Sequence, residues 1–150
     1  WRLGGGVRMD GGSMENCTVV RNYNINSNGG VYQGGSAVIT NCIIYFNSGV
    51  TVSNIAAGAG IAYSCAPELS GGTGNLTADP RFVSTGAGYG TALVGGDFHI
   101  VVASPSANRG INASWMIGAP DLDNTPRIKA AIVDMGCFEA LPSGTIFIVH

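Results

Sequence analysis

Apolar residues along this chain come in short bursts, most of them closed by asparagine or glycine. "NCTVVRN" (Asn16 to Asn22) and "NCIIYFN" (Asn41 to Asn47) share one shape, 25 residues apart: Asn-Cys, an apolar β-branched stretch, a closing Asn. No segment sustains the 3.6-residue period of an amphipathic helix, and brief runs bounded by turn residues read as strands. The bursts themselves repeat. Setting Gly5-Gly6-Val7 over Gly29-Gly30-Val31 aligns "GGVRMDGGSMENCTVVRN" with "GGVYQGGSAVITNCIIYFN", which is one residue longer. A weaker third copy runs from "GAGI" (Gly58 to Ile61) to Cys65, so the cysteines are spaced by 25 and then 23 residues.

Units of this size with short strands and Gly/Asn turns predict a solenoid, since common helical repeats run to about 33 residues and propeller blades to about 40. The pattern predicts an all-β parallel β-helix whose neighbouring coils pair backbone to backbone. Each repeated residue then has an expected role. Cys17, Cys42 and Cys65 stack inward, one per coil, as small apolar groups. Asn22 and Asn47 form a ladder at turns, where Asn tolerates left-handed backbone. After Cys65 the repeat fades into a loop rich in Gly, Pro and Asn, followed by segments with frequent turn signals. Residues 1–65 therefore read as repeated coils, 66–140 as irregular final coils and a cap of the same domain, and 141–150 as a tail. That tail, with "GTIFIVH" (Gly144 to His150), reads as a last strand or a cut end.

Composition supports strands. Ile and Val number 13 each against 6 Leu, and β-branched side chains suit a pleated surface. Charged residues are only 11% of the chain, against about 25% in ordinary domains, and no basic stripe exists, which argues against a nucleic-acid partner. No apolar run reaches the roughly 20 residues of a membrane span. The opening "WRLGGG" carries no signal peptide, so a fragment or mature form of something longer is expected. An uncapped first coil at Trp1 would be a surface for self-association. With no C-x-x-C pair, zinc and thioredoxin-like chemistry are disfavoured.

The second half carries a resemblance. "GNLTADPRFV", "DFHI", "SPSANRGIN", "DLDNTPRI" and "VDMGCFE" occur in that order. The order is similar to the C-terminal part of bacterial right-handed parallel β-helix surface proteins of the choice-of-anchor Q and polymorphic-outer-membrane-protein kind, over about Gly4 to Glu139. The sequence departs from their pattern at Asn124, Cys137, Asn108, Val19 and Ile44. The resemblance implies a right-handed β-helix, an extracellular or cell-surface setting, and no established catalytic residues.

Candidate chemistry is sparse. Comparing positions one coil apart gives no acidic or basic column, and the only lysine is Lys129. No catalytic residue is assigned. The leading expectation is a non-catalytic structural, adhesive or carbohydrate-contacting module. A polysaccharide lyase or glycoside hydrolase of the same fold is the alternative. Tyr32, Tyr45 and Tyr63 are the candidates for stacking on a polysaccharide or cell-surface glycan. Asp121 and Asp123 are the candidate calcium ligands, although the loop lacks the distant Glu of an EF-hand; no other cofactor is expected. Asp134 and Glu139 are expected to pair with Arg127 or Arg109, and His99 to be exposed.

Overall fold

The computed structural model describes residues 4–56 and 58–140. Trp1 and the segment 141–150 lie outside the described residues, so the expectations placed on them stay there. Among the described residues the protein is all-β, with no α-helix and two single-turn 3-10 segments at Gly90–Ala92 and Ser114–Met116. The first sequence copy supplies β1 (Val7–Met9), β2 (Ser13–Glu15), β3 (Thr18–Val20) and β4 (Tyr23–Asn24). The second supplies β5 (Val31–Gln33), β6 (Val38–Thr40), β7 (Ile43–Tyr45) and β8 (Ser48–Gly49). β9 (Ile61–Ala62), β10 (Phe82–Ser84) and β11 (Asp97–Ile100) follow.

The two copies pair strand for strand in small parallel sheets. Val7 faces Val31, Ser13 faces Val38, Thr18 faces Ile43 and Tyr23 faces Ser48. β9 joins β6 in parallel, with Ile39 facing Ile61. β10 and β11 form an antiparallel pair with an irregular register. Two glycines permit the close backbone approach. A Cβ at Gly29 would collide with the Ser48 carbonyl, and one at Gly5 with the Gly29 carbonyl.

Successive side chains of a strand point to opposite faces, and here both faces of one sheet are used. Ile44 of β7 and Val19 of β3 enter a core with Val31, Ile39, Cys42, Ile55, Ile61 and Leu69. Ile43 enters a second core with Cys65, Phe82, Ile100, Ala107 and Met135. The β3–β7 sheet thus divides two cores. One belongs to the repeats and the other joins them to the C-terminal half.

Two expectations need correction. Cys65 does not continue the Cys17–Cys42 column, because Ile43 bridges Cys65 in parallel. The offset from the second copy is 22 residues (Ile39 to Ile61), one fewer than the cysteine spacing of 23. A one-residue slip moves a side chain to the other face, so Cys65 lies in the second core and Ser64 stands beside Cys42, accepting from the Cys42 amide at 3.1 Å. The second correction concerns the turns. Left-handed backbone falls on Asn16, Arg21, Asn41 and Phe46 (φ 50°, 56°, 55° and 54°), one residue before Cys17, Asn22, Cys42 and Asn47. Asparagine tolerates this conformation, whereas Arg21 and Phe46 adopt it at a cost of roughly 1–2 kcal/mol each. Packing offsets that cost at Phe46, whose ring lies edge-on to Tyr45 at 4.8 Å and near Phe82 at 6.2 Å.

Asn22 and Asn47 do meet. The Asn22 amide and Nδ2 both donate to Asn47 Oδ1 (2.9 and 3.0 Å). Asn47 repeats the pattern onto Asn54 Oδ1 (3.0 and 3.2 Å), and Asn54 repeats it onto Glu68 Oε1 (3.0 and 3.2 Å).

The C-terminal half is held differently, by polar side chains that bind backbone. Ser104 donates to the Pro80 carbonyl at 2.6 Å. Asp134 accepts from the amides of Asn108 and Ala140. Asn41 reaches from the second repeat to both the amide and carbonyl of Ile111 (2.8 and 2.9 Å). The Cys137 amide donates to Thr18 Oγ1 at 3.1 Å.

Candidate functional site

Tyr63 opens the third repeat's turn with φ 48°. Its ring lies against Gly74, where φ is 69° and a Cβ would meet Tyr63 Cδ1 at 2.5 Å, so only glycine lets the ring settle there. The ring borders a cleft of about 270 Å³ lined also by Asn75, Leu76, Asn108, Arg109 and Ile132. Asn75 forms a fixed wall: its Oδ1 accepts from the Ser64 amide, and its Nδ2 donates to the Ile61 and Gly71 carbonyls. Arg109 is exposed and forms no ion pair within 4.0 Å among the described residues. The cleft therefore joins an aromatic face, an uncommitted guanidinium and the Asn108 side chain.

Asn108 also lines a second cavity of about 380 Å³, with Val102, Lys129, Ala130, Asp134, Glu139 and Ala140. Asp134 and Glu139 are each 2% exposed. Burial raises both carboxyls, Glu139 to about 7 with the nearby Asp134 charge adding to the effect. Glu139 Oε1 accepts from the Asp134 amide at 3.1 Å and lies 3.7 Å from Arg127 Nη1. Of the two carboxyls expected to pair with an arginine, Glu139 meets Arg127, whose guanidinium also donates to the Gly136 and Cys137 carbonyls, while Asp134 forms no ion pair within 4.0 Å among the described residues. Lys129 donates to the Glu139 carbonyl at 3.3 Å.

The other sequence candidates scatter. Tyr45 packs against the second core, as Tyr63 does, and donates its hydroxyl to the Thr77 carbonyl at 3.1 Å. Tyr32 stands apart on the β1–β5 sheet, with the Arg8 guanidinium 6.0 Å from its ring centre. The three tyrosines therefore do not share one sheet. Asp121 is buried and its carboxylate is spent on the 121–125 turn: it accepts from the amides of Asp123, Thr125 and Glu139 and from the Thr125 hydroxyl. Burial works to raise its pKa, but those four bonds outweigh it and hold the group below the ordinary range. Asp123 points elsewhere, accepting from His99 Nε2 at 2.7 Å. The calcium pair thus parts company, and among the described residues no three His, Cys, Asp or Glu side chains gather as a metal site.

His99, expected to be exposed, is half-buried, its side chain 22% exposed. Its Nδ1 meets Asp97, its Nε2 meets Asp123, and its ring stacks on Phe138 at 4.0 Å. Burial, the largest single influence, lowers its pKa, yet the two carboxylates together raise it above the ordinary value.

Sequence reasoning missed a second aromatic pair. Tyr23 and Tyr89 are 53% and 39% exposed, with ring centres 6.4 Å apart. Arg21 assembles them. Its guanidinium bonds Thr85 and Gly86, lies 5.4 Å from the Tyr89 ring centre and 5.5 Å from that of Phe46, and its carbonyl accepts from the Gly90 amide. The one available signal was that Arg21 occupies the Phe46 position of the repeat.

Comparison of the chain with protein-family models, with curated proteins and with solved structures returned no match in any of the three.

Proposed function

We propose that this chain is a non-catalytic right-handed parallel β-helix module, of extracellular or cell-surface type, that contacts an acidic carbohydrate through the Tyr63–Arg109 cleft. The β-helix reading is supported by four successive parallel pairings at offsets of 24 or 25 residues and by the asparagine ladder crossing them. The resemblance of the C-terminal motifs supports the surface setting. The binding reading rests on one observation: an aromatic ring and an uncommitted guanidinium line the same cleft. Sugar rings present apolar faces to tyrosine, and a guanidinium matches a carboxylate or sulfate in bidentate fashion.

Binding to an array of neutral, uronate-containing and sulfated glycans tests this. Acidic glycans are expected to bind, and Arg109→Gln to weaken them by about 10- to 100-fold, as loss of a charged hydrogen bond predicts. Arg81→Gln, exposed and outside the cleft, serves as the control. Binding of neutral glycans alone, or of none, overturns the proposal.

One observation favours the enzymatic alternative, a glycoside hydrolase or lyase. Two buried carboxyls with raised pKa values border a cavity, as an acid–base pair would. Against it, both oxygens of Asp134 already hold backbone amides. Reducing-sugar and unsaturated-uronate assays between pH 5 and 8 decide between the readings, and turnover removed by Glu139→Gln would establish the alternative.

A further inference from the structure

We propose that Cys17 and Cys42 form a thiol–disulfide exchange site, which takes low-molecular-weight disulfides and closes into a Cys17–Cys42 disulfide. Both cysteines are free thiols in the structure. Thr18 faces Ile43, and the Ile43 amide donates to the Cys17 carbonyl at 2.9 Å, so the two cysteines are cross-strand neighbours. Parallel neighbours lie about 4.8 Å apart at Cα, within the roughly 4.4–6.8 Å that disulfides span. Both side chains border the first core, where Cys17 Sγ hydrogen-bonds the Glu15 carbonyl and Cys42 Sγ the Thr40 carbonyl, each at 3.2 Å.

The two sulfurs are unequal in a useful way. Cys17 is half-buried and Cys42 is fully buried. The neighbouring Cys42 thiol is the main influence lowering Cys17 to about 7, with Arg127 adding to it, whereas Cys42 is raised by its partner and by burial. Cys17 is thus the accessible nucleophile and Cys42 the resolving thiol. With glutathione disulfide, Cys17 thiolate attacks one sulfur, the S–S bond breaks, and one glutathione thiolate leaves and takes up a proton. Cys42 then loses its proton and attacks Cys17 Sγ, expelling the second glutathione. Two protein thiols lose two electrons and two protons, and one glutathione disulfide becomes two glutathiones. The remaining cysteines are placed against this pairing. Cys65 lies in the second core, across the β3–β7 sheet, and Cys137 is tied by its amide to Thr18, which points away from the first core.

Treating the full chain with glutathione disulfide, trapping free thiols with N-ethylmaleimide and mapping trypsin–chymotrypsin peptides without reduction tests the pairing. A Cys17–Cys42 linked peptide that dithiothreitol removes is expected. A Cys17–Cys65 or Cys17–Cys137 link, or four free thiols, overturns it. A second readout requires no linked product. Iodoacetamide should label Cys17 of the untreated chain at pH 7 about fivefold faster than Cys137, with a midpoint near 7 that moves to higher pH in Cys42→Ala. Equal rates, or an unmoved midpoint in a folded Cys42→Ala chain, count against the site.

Discussion

The two halves of this protein solve the same problem by different means. From Val7 to Ala62 the backbone amides of one segment are met by the segment 22 to 25 residues away, and side chains need only fill the space between. From Pro80 to Ala140 there is little such pairing, and buried carboxylates and hydroxyls take its place, holding backbone amides or carbonyls of separate loops. The first half is redundant, because its bonds recur from copy to copy. The second is a set of single fixings, each with no copy to share its load. Substitutions should therefore act in the first half through backbone and core geometry, and in the second through charge.

The largest effect is expected where the repeat's backbones touch. Gly29→Ala should destabilise the protein by about 3 kcal/mol or more, read from urea unfolding, because the added methyl meets carbonyl backbone that cannot yield. A loss under 1 kcal/mol would show that the strand pairs separate freely, and would weaken the contrast at its root. Next come two matched deletions. Asn47→Ala removes one ladder member and Asp134→Ala one C-terminal fixing, and each leaves two or more part-buried polar groups without their partner, at about 1 kcal/mol apiece. Hydrogen exchange separates them. The first should expose amides around Asn22 and Asn54, and the second those of Asn108 and Ala140.

The next effect down is one of pH. Glu139 has a folded pKa of about 7, above its ordinary 4.5, so the folded state holds a proton that the unfolded state has released. Stability should therefore fall as pH rises from about 4.5 to 7, by roughly 1–3 kcal/mol, and Glu139→Gln should flatten that slope. The smallest effect belongs to His99. Its pKa is raised, so its contribution is present in full below its ordinary value of 6.5 and is lost as pH climbs through the folded pKa. The partners are solvent-exposed, so the loss should stay below about 1 kcal/mol, and His99→Gln should abolish it. A flat profile in the wild-type chain would remove charge from the account of the C-terminal half.

Sequence and structure agree where a rule repeats. The alignment of Gly5-Gly6-Val7 on Gly29-Gly30-Val31 foretold the Val7–Val31 pairing, because two copies carry the same backbone requirement at the same offset. It failed at Cys65, since the identity of a residue does not reveal that the chain has slipped by one. Asp121 and Asp123 show another limit. Asp-x-Asp reads equally as cation ligands or as a turn, and what decides is the Glu139 amide, contributed from 18 residues away. The Tyr63–Arg109 cleft was half legible: Tyr63 stood out as a repeat aromatic, but Arg109 reaches it only through folding of the second half.

The line of amides from Asn22 to Glu68 has a further consequence. Each asparagine gives its backbone N–H and a side-chain N–H forward, Asn47 and Asn54 receive at Oδ1 from behind, and the carboxylate at the end receives twice. Such a line has a sense of direction, like a sentence closed by its full stop. Reversing two members would set donor against donor or leave the carboxylate amid acceptors. The order in which these segments lie across one another is thus written in hydrogen-bond polarity as well as in hydrophobic fit, and a chain that collapsed in the wrong order would be marked by that mismatch.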